Sequence, residues 1–422
     1  MRFGALFPII LGLVFLCLAV ACSGDDDDDD DDTGLPGDDD DDDNDDNDDD
    51  NDDNDDDDNN NDNDDNDDDD FSPPPSVPIL NVLAEDAVTY MGPPVVFNSS
   101  CGDLWPTAWA DDGNLYAANG DGFGFGWVWA DMKVSRLWGE PPDMEGEQIE
   151  QAWGQHLGRL WPPQGWKVSH KPTGITCVDG RLYLFYQNLK NFLSDNEFGD
   201  APAASISWSD DYGRTWDWDD TAPMFHDHVF TTGMFLDYGR CNQYAMDEYV
   251  YVYGLDYNWR YSEGYRSTKM YLARVLADRI PERDQWEFFT GLDGGQPTWS
   301  YDIEQKAPVL QDETEYAGLT GVSQGSIVYI PALNRYLYST WSDSAWIFHE
   351  AEFPWGPWTR CGIKPWHEQP GSEDWMGGYA TVIPSRYLDA DGRGGWLVSS
   401  LLDLYENRYY RYGMRRFEIE IE

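Results

Sequence analysis

After position 76 the sequence repeats one pattern: a short turn rich in Gly, Asp or Asn, followed by a run of aromatic and aliphatic residues. Five segments share this pattern: DDGNLYAANGD (111–121), VDGRLYLFYQN (178–188), MDEYVYVYGLD (246–256), LNRYLYSTWSD (333–343) and DGRGGWLVSSL (391–401). Short alternating runs bounded by turn residues are typical of β-strands. Helical periodicity is almost absent from this part of the chain, so the repeats indicate an all-β domain.

The spacing of the repeats indicates how the strands are organised. Taking Leu115, Leu182, Val250, Leu337 and Trp396 as markers, the steps are 67, 68, 87 and 59 residues. A unit of about 70 residues is long enough for four strands and their loops. Small sheets that pack radially and protect one another's edges form a β-propeller. The sequence therefore predicts a five-bladed β-propeller over residues 77–422, with a β-sandwich carrying insertions as the alternative.

The first 22 residues predict export. An apolar run, LFPIILGLVFLCLAV, follows Met1-Arg2, and the segment ends in the lipobox-like Ala19-Val20-Ala21-Cys22. The run is too short and wrongly flanked for a mature membrane span, so residues 1–22 are predicted to be a lipoprotein signal peptide that leaves Cys22 lipidated. A plain secretory signal with an incidental cysteine is the alternative. Ser23 after Cys22 favours the outer membrane, so we expect an outer-membrane lipoprotein displayed at the cell surface.

The next segment is dominated by aspartate. Residues 25–70 contain 32 Asp, interrupted mainly by Asn. Such a tract buries no apolar surface and its charges repel one another, so residues 23–76 are predicted to be a disordered stalk. Binding of Ca²⁺ by the tract is the alternative, but the glycine-turned loop of a defined calcium site is missing, and no cofactor is expected.

The folded part is acidic in its own right. The whole chain has 82 acidic and 26 basic residues, of which 32 Asp and Arg2 lie before residue 71. Residues 71–422 therefore have 50 acidic and 25 basic residues, a net charge of −25. A surface of this sign argues against nucleic acid or an anionic membrane as a partner. The lipid anchor is therefore the only membrane contact that we expect.

Four cysteines remain after the predicted lipidation site. They are Cys101, Cys177, Cys241 and Cys361, an even number in an exported chain, so disulfides are expected. Their spacing matches no zinc motif, and no metal site is predicted. The sequence leaves all three possible pairings open.

One motif bears on the fold alone. Residues 209–216, SDDYGRTW, fit the S-x-D-x-G-x-T-W pattern of the Asp-box found in sialidase-like propellers. In that motif, Asp and Ser bond to the turn of a rim hairpin and Trp packs beneath the blade. We therefore predict a structural role for Asp211 and assign it no chemistry.

Longer segments resemble a known family. YLARVLADRIPERDQWEFFTGLDGGQPTWS (271–300), EAEFPWGPWTRC (350–361) and PSRYLDADGRGGWLVSS (384–400) are similar to a bacterial propeller family classed as a domain of unknown function. The segment DLWPTAWADDGNLYAANGDGFGF (103–125) resembles the first blade of that family. Some members or close relatives are glycoside hydrolases that cut D-arabinan internally. The resemblance implies a five-bladed propeller and an endo-arabinanase-like activity.

Two aspartates are the leading catalytic candidates. Asp111-Asp112-Gly113 suits a three-residue hairpin loop closed by a left-handed glycine. In that register Asp103 faces Asp121 directly, with Cβ atoms ~4.5–5.5 Å apart. Two carboxyls this close shift each other's pKa, which leaves one protonated and one ionised, as glycoside cleavage requires. A two-residue loop would put the two side chains on opposite faces, and rim acids without chemistry are the alternative.

Further candidates carry weaker signals. Asp256 ends a marker strand and is predicted to project toward a central cavity as a third catalytic residue. Flat aromatic side chains stack on sugar rings, and arginine or glutamate can bind hydroxyl groups. The predicted substrate-binding residues are Trp105, Trp109, Arg240, Trp341, Glu350 and Trp355. Trp127 and Trp129 are further tryptophans that we expect to contact ligand.

Together these features predict a monomeric, lipid-anchored propeller that acts on polysaccharide. The leading function is glycoside hydrolysis by Asp103 and Asp121, with Asp256 as a modulator. A non-catalytic glycan-binding or adhesion module on an acidic stalk is the alternative from another functional class.

Overall fold

The computed structural model describes residues 87–149, 168–190, 201–257, 267–316, 319–342, 344–403 and 410–421. The predicted signal peptide, Cys22 and the stalk lie outside the described residues. Within them the chain is all-β, as predicted, and helical structure is limited to three-residue 3-10 turns: Arg240–Asn242, Ala277–Arg279, Arg283–Gln285, Ile303–Gln305, Trp366–Glu368 and Ser385–Tyr387. No helix in these ranges is long and apolar enough to span a membrane.

The strands follow one another in antiparallel groups. Strand β1 (Val88–Phe97) comes first. Sheet 1 contains β2 (Cys101–Asp103), β3 (Thr107–Trp109), β4 (Leu115–Gly124), β5 (Ala130–Trp138) and β6 (Glu145–Gln148). Sheet 2 contains β7 (Val168–Val178), β8 (Arg181–Lys190), β9 (Ala203–Ser209), β10 (Asp217–Trp218) and β11 (Phe225–His226). In both sheets each main strand pairs with the next one in the chain.

The middle of the chain forms one ten-stranded sheet, which we describe as two antiparallel groups, sheets 3 and 4, joined by a parallel strand pair. Sheet 3 contains β12 (Thr232–Asp237), β13 (Tyr249–Leu255), β14 (Lys269–Leu276), β15 (Glu287–Asp293), β16 (Gln296–Ser300) and β17 (Pro308–Gln311). A separate short pair, β18 (Glu315–Tyr316) and β19 (Leu319–Thr320), follows. Sheet 4 contains β20 (Ser326–Ile330), β21 (Arg335–Trp341), β22 (Ala345–Ala351) and β23 (Thr359–Pro365). The first strands of sheets 3 and 4 pair in parallel, with Leu236 opposite Ile327.

The last sheet joins the two ends of the described region. Sheet 5 contains β24 (Trp375–Val382), β25 (Gly394–Asp403) and β26 (Tyr410–Ile419), and β1 adds to it as the fourth strand. Strand β1 is antiparallel to β26, with Val88 opposite Ile419 and Phe97 opposite Tyr412. Because the paired residues of β1 and β26 are 315 to 331 positions apart in the sequence, this pairing is non-local and depends on the rest of the fold.

The five sequence markers fall at equivalent places. Leu115, Leu182, Val250, Leu337 and Trp396 lie on β4, β8, β13, β21 and β25, the second main strand of each sheet. In sheet 1, β2 and β3 together occupy the place of a first strand, because both pair with β4. The repeat seen in the sequence is therefore a repeat of four-stranded antiparallel units.

The apolar core lies between the sheets. Five buried clusters each combine residues from two sheets: sheets 1 and 2, 2 and 3, 3 and 4, 4 and 5, and 5 and 1. Leu184 and Tyr116 meet in the first of these clusters, for example, and Trp105 meets Tyr412 in the last. Both faces of the sheets are covered, which explains why the strands contain long apolar runs rather than a strict alternation with polar residues.

The first strands of the five sheets converge on a small cavity. Thr107 of β3, Gly174 of β7, Met234 of β12, Ile327 of β20 and Val382 of β24 are among its lining residues, and its volume is about 20 Å³. A space of this size holds a single water molecule. A sugar ring cannot enter it, so this cavity is not the predicted polysaccharide site.

One disulfide ties two sheets together. Cys177 at the end of β7 is bonded to Cys241, which follows β12. Cys361 is a free, buried thiol, so none of the three pairings that use all four cysteines is correct. The Asp111 carboxyl lies near Cys177 and Cys241, but the two sulfurs are bonded to each other and this trio is not a metal site.

The hairpin between β9 and β10 has the contacts predicted for the Asp-box. Ser209 Oγ accepts from the Gly213 amide at 2.8 Å, and an Asp211 carboxylate oxygen accepts from the Thr215 amide at 2.8 Å. Trp216 is buried between sheets 1 and 2, with its indole N–H donating to the Gly213 carbonyl. The Asp211 carboxylate is occupied in holding the turn.

Candidate functional site

The hairpin that carries the two leading aspartates closes as predicted. The Ala110 amide donates to the Asn114 carbonyl at 3.0 Å, and Gly113 has a φ of 85°, which favours glycine. Thr107 lies opposite Ala117. The loop is therefore the predicted three-residue loop of 111–113, and the register is correct along β3.

The register changes before it reaches Asp103. Leu104 and Trp105 have positive φ values of 74° and 56°, and this kink separates β2 from β3. As a result Asp103 lies opposite Gly120 rather than Asp121, and the predicted direct pairing of the two aspartates is wrong. Sequence alternation gave no sign of the kink, because the pattern that sets a register assumes an unbroken strand.

The kink and a matching irregularity in β4 nevertheless bring the two carboxyl groups into one cluster. Asp121 itself has a φ of 38° and sits where the pairing between β2 and β4 is irregular, while β5 continues in register past it. A Cβ atom on Gly120 would lie 2.5 Å from Asp103 Oδ1 and 2.7 Å from Lys171 Cδ. The Asp103 carboxyl and the Lys171 side chain therefore share the space above this glycine.

Lys171 binds the second aspartate. Its Nζ lies 2.6 Å from Asp121 Oδ1, and the Lys171 side chain is only 2% exposed, against 26% for that of Asp121. The same ammonium donates to the Asp131 carbonyl at 3.3 Å and to the Ser169 hydroxyl. Three acceptors surround the three ammonium protons, which fixes a positive charge beside the Asp121 carboxylate.

The first aspartate has a different environment. Asp103 is 5% exposed, and its Oδ2 accepts a hydrogen bond from the Tyr379 hydroxyl at 2.7 Å. Its Oδ1 is buried and has no hydrogen-bond partner among the described residues. The Tyr379 ring packs against Trp341, with ring centroids 5.2 Å apart. The predicted substrate-binding residue Trp341 therefore lies beside the residue that holds Asp103.

These environments change the acidity of both carboxyl groups. Burial is the largest cause that raises the pKa of Asp103, to about 6, and the neighbouring Asp121 adds to the rise while Lys171 opposes it. Burial also raises the pKa of Asp121, but Lys171 counters this directly through its charge and hydrogen bond. The pKa of Lys171 is raised by the surrounding aspartates, so the lysine stays charged. Both carboxyl groups therefore have raised pKa values, and the Lys171 ammonium lies beside Asp121, where it favours the ionised form of that carboxyl.

Asp256 is not part of this cluster. Its Oδ1 accepts from the Phe230 amide at 2.9 Å, and its Oδ2 lies 3.4 Å from Lys306 Nζ. Asp256 is not among the residues that line the central cavity, contrary to the prediction. Its partners are thus the Phe230 amide and the Lys306 ammonium, and neither belongs to the cluster of Asp103 and Asp121.

Glu350 is also remote from the paired aspartates. It lies near the end of β22, and since β20 and β22 run in the same direction, this is the opposite end of sheet 4 from the start of β20. Glu350 is 5% exposed, with the Arg335 guanidinium 4.0 Å away, and burial raises the pKa of its carboxyl to about 7. Glu350 therefore lies apart from the cluster of Asp103 and Asp121, and its substrate contact stays a prediction.

The remaining predicted substrate-binding residues have structural contacts. Trp105 is fully buried among Leu115, Phe125 and Tyr412, and its indole N–H donates to a backbone carbonyl, so no face is left for a sugar. Trp109 is partly buried against the same cluster. Trp355 stacks on Phe353 with a centroid distance of 5.5 Å, and Arg240 donates to the Asp111 carbonyl.

Sequence reasoning missed two members of the site. Lys171 is 50 residues from Asp121 and comes from sheet 2, and Tyr379 is 276 residues from Asp103 and comes from sheet 5. The one available signal was a lysine, in SHKPTG, at the start of a run that is otherwise buried. A buried lysine needs a paired carboxylate, which is a reason to look for its partner.

Most of the chain is similar to a family of known proteins. The profile of a family described as "Domain of unknown function (DUF4185)" matches residues 96–405. No curated protein matches the chain.

Three solved structures illustrate its structural relatives. A provisionally assigned hydrolase from Bacteroides ovatus has 13% identity and a TM-score of 0.47, covering 78% of this chain and 87% of its own. A GH43_1 enzyme from Xanthomonas citri has 14% identity and a TM-score of 0.41, with coverage of 80% and 92%. An endo-arabinase from Bacteroides thetaiotaomicron has 14% identity and a TM-score of 0.40, with coverage of 79% and 98%. At these scores and identities, we draw no conclusion about activity from them.

Proposed function

The chain belongs to the DUF4185 family, and from its site geometry we propose that it is a glycoside hydrolase in which Asp103 and Asp121 cleave a furanosidic polysaccharide. One observation carries the proposal. A buried carboxyl, Asp103, and a partly buried one, Asp121, share a cluster in which burial raises the pKa of Asp103 to about 6 while the Lys171 ammonium lies 2.6 Å from Asp121. Glycoside cleavage needs this pairing of a proton donor with an ionised carboxylate.

Each residue has a defined role in this mechanism. Protonated Asp103 donates its proton to the glycosidic oxygen as the bond to the anomeric carbon breaks, and the leaving sugar departs as an alcohol. Tyr379 already donates to Oδ2, so Oδ1 is the oxygen that carries the proton, and because Oδ1 is buried the mechanism requires that it become exposed when a glycan binds. The Asp121 carboxylate either deprotonates the water that attacks the anomeric carbon, or attacks that carbon itself and forms a glycosyl ester. In the second case a water deprotonated by Asp103 then displaces Asp121 and releases the sugar, and the configuration of the product distinguishes the two routes.

Lys171 and Tyr379 position the pair and set its charge. The ammonium favours the ionised form of Asp121, so the proton stays on Asp103 rather than on its neighbour. Both are positioning residues, since each acts through an aspartate. This explains why a lysine with a side chain only 2% exposed is kept beside two acids despite the cost of burying its charge.

The fold supports a site open at one end of the inner strands. We propose that sheets 1 to 5 are the blades of a five-bladed β-propeller: the apolar clusters connect them in a closed cycle, and β1 pairs with β26. Asp103, Lys171 and Tyr379 come from β2, β7 and β24, three of the strands around the axis. A polymer can cross such an open end without threading a chain terminus through the cavity of about 20 Å³.

The setting proposed for this activity is the cell envelope. Lipidation at Cys22 and an Asp-rich stalk over residues 23–76 would hold the domain away from the outer membrane, where it meets polysaccharide as a monomer. The acidic composition of residues 71–422, at a net charge of −25, favours an uncharged glycan over an anionic one.

The test is release of reducing ends by the full-length protein from D-arabinan, linear L-arabinan and xylan at pH 5 to 6. We expect release from at least one of these, and a loss of at least about 10³-fold in Asp103→Asn and Asp121→Asn with glycan binding retained. Asp256→Asn is the matched control, because this partly buried aspartate, with a side chain 19% exposed, also pairs with a lysine, and the variant is expected to keep its activity. Binding without release by the wild-type protein would instead support the non-catalytic glycan-binding module.

A further inference from the structure

The loop between β4 and β5 exposes two tryptophans. Trp127 is 96% exposed and Trp129 is 38% exposed, and both lie between Phe125 and the start of β5 at Ala130. A large aromatic side chain left almost entirely in water gains nothing for the stability of the fold. We propose that Trp127 and Trp129 form a stacking platform, a subsite for an uncharged polysaccharide chain that extends beyond the paired aspartates.

The loop is tied to the site at both of its ends. Asp121 lies near the end of β4, just before the loop. Asp131 is the second residue of β5, just after the loop, and its carbonyl accepts from Lys171 at 3.3 Å. Gly120 lies opposite Met132, which places the two ends of the loop side by side in the sheet. The tryptophans therefore lie at the same end of sheet 1 as the two carboxyl groups.

The base of the loop is anchored in the core. Phe125 is 8% exposed, its amide donates to Ser135 Oγ at 3.1 Å, and its carbonyl accepts from the Gln148 amide at 3.2 Å. A Cβ atom on Gly126 would collide with the Gln148 side chain, so this glycine is required for the close approach. Because the turn is already ordered, presenting Trp127 to a ligand costs little conformational entropy.

The chemistry of the loop selects its ligand. Residues 122–130 are GFGFGWVWA, with no charged side chain to bind an ionic group. Indole faces pack against the C–H faces of neutral sugar rings, and the acidic domain disfavours anionic chains. A second copy of this chain is a poorer occupant: two tryptophans offer at most about 500 Å², whereas a stable interface buries more than about 1,000 Å².

The platform gives the proposed hydrolase a preference for long chains, so this inference rests on the proposed function. Sugar units beyond the cleavage point would contact the tryptophans, and short fragments would not reach them. Binding energy from remote units lowers KM, and it raises kcat where it helps to orient the reacting bond. Attack within a polymer, rather than removal of terminal sugars, follows from such an extended subsite.

The test uses Trp127→Ala/Trp129→Ala in the full-length protein. The control is Tyr301→Ala, because Tyr301 is 61% exposed and follows β16 of sheet 3 rather than lying in this loop. We expect the ratio of kcat/KM for D-arabinan to that for a short arabino-oligosaccharide to fall about 10-fold, which corresponds to about 1.4 kcal/mol. The control ratio should stay within twofold of the wild-type ratio. An unchanged ratio in the double variant overturns the inference.

A binding measurement separates this inference from the proposed function. Mobility in gels containing D-arabinan is compared for Asp121→Asn and for Asp121→Asn with both tryptophans replaced. If Asp121→Asn is retarded and the variant that also lacks both tryptophans is not, the platform is supported. This holds even if the wild-type protein releases no sugar, a result that would refute the hydrolase proposal. Two results in the gel contradict the platform: equal retardation of the two variants, and no retardation of either. A change from dimer to monomer in gel filtration when the tryptophans are replaced also contradicts it.

Discussion

Replacing Lys171 by methionine tests the electrostatic design of the site. Methionine preserves the length and burial of the side chain but removes the charge that lies 2.6 Å from Asp121 Oδ1. Two acids then remain in a nearly dry cluster with no counterion, and their pKa values rise because Lys171 was a cause that lowered each of them. The variant should therefore lose stability in a way that depends on pH.

The size of the effect follows from burial. Removing one partner of a buried ion pair costs about 3–5 kcal/mol, since the other charge is left uncompensated. Asp121 can avoid part of this cost by taking up a proton, and each pH unit by which its folded pKa exceeds its unfolded pKa is worth about 1.4 kcal/mol. A carboxyl with a raised folded pKa loses stability as pH rises through that pKa. We therefore expect a loss of about 1–2 kcal/mol at pH 5 and about 3–5 kcal/mol at pH 8.

The assay is urea unfolding of the wild-type protein and Lys171→Met at both pH values. Arg181→Met is the control, because Arg181 and Asp210 form an ion pair with side chains 39% and 63% exposed. Such a pair contributes less than about 1 kcal/mol and should show no comparable change with pH. A loss in Lys171→Met that is the same at pH 5 and pH 8, or below about 1 kcal/mol at pH 8, would refute the reasoning.

Three further predictions use other parts of the chain. Gly120→Ala places a Cβ atom 2.5 Å from Asp103 Oδ1, so hydrolysis should fall about 100-fold with an unchanged near-UV circular dichroism spectrum; activity within twofold of wild type contradicts this. Burial raises the pKa of Glu350 to about 7, so the unfolding free energy of the wild-type protein should fall by up to about 3 kcal/mol between pH 5 and pH 8. Glu350→Gln should not show this fall, and urea midpoints that change with pH in the same way in both proteins would disprove the prediction. Reduction of Cys177–Cys241, 64 residues apart, should lower the unfolding free energy by about 4 kcal/mol, and an unchanged urea midpoint in reductant would exclude this contribution.

The sequence predicted the architecture better than the site. Turn residues before Leu115, Leu182 and Val250 identified the second strand of sheets 1 to 3, because turn chemistry and strand alternation are local properties. The pairing of β1 with β26 could not be predicted in the same way. It depends on a closed arrangement of all five sheets, which no local pattern encodes.

The site was predicted only in part, for two physical reasons. The kink at Leu104 and Trp105 moved Asp103 opposite Gly120, and such backbone irregularities have no marker in an alternating pattern. Lys171 and Tyr379 join the cluster from other sheets, so their roles follow from tertiary packing alone. The acidic pair itself was identifiable, because an isolated carboxyl near a glycine-rich strand end is unusual in an aromatic hairpin.

Tryptophan content was a poor guide to ligand contact. Trp105 and Trp341 were predicted to bind sugar. In the structure Trp105 is completely buried and does not line the small cavity, and Trp341 is only 5% exposed. Large aromatic residues fill the spaces between the sheets, which explains most of the tryptophans among the described residues. Trp127, at 96% exposure, could be distinguished from them only in the structure.

The division of roles between Asp103 and Asp121 is tested most directly by the pH dependence of kcat/KM on a 4-nitrophenyl arabino-oligosaccharide. Nitrophenolate leaves without a proton, so Asp103→Asn should keep much of its rate on this substrate while losing activity on D-arabinan. The wild-type rate on D-arabinan should fall as pH rises above about 6, where Asp103 loses its proton, and the variant should show no such fall on the nitrophenyl substrate. Asp121→Asn should be inactive on both substrates. Equal loss of activity on both substrates in Asp103→Asn, or full activity in Asp121→Asn, would contradict the account.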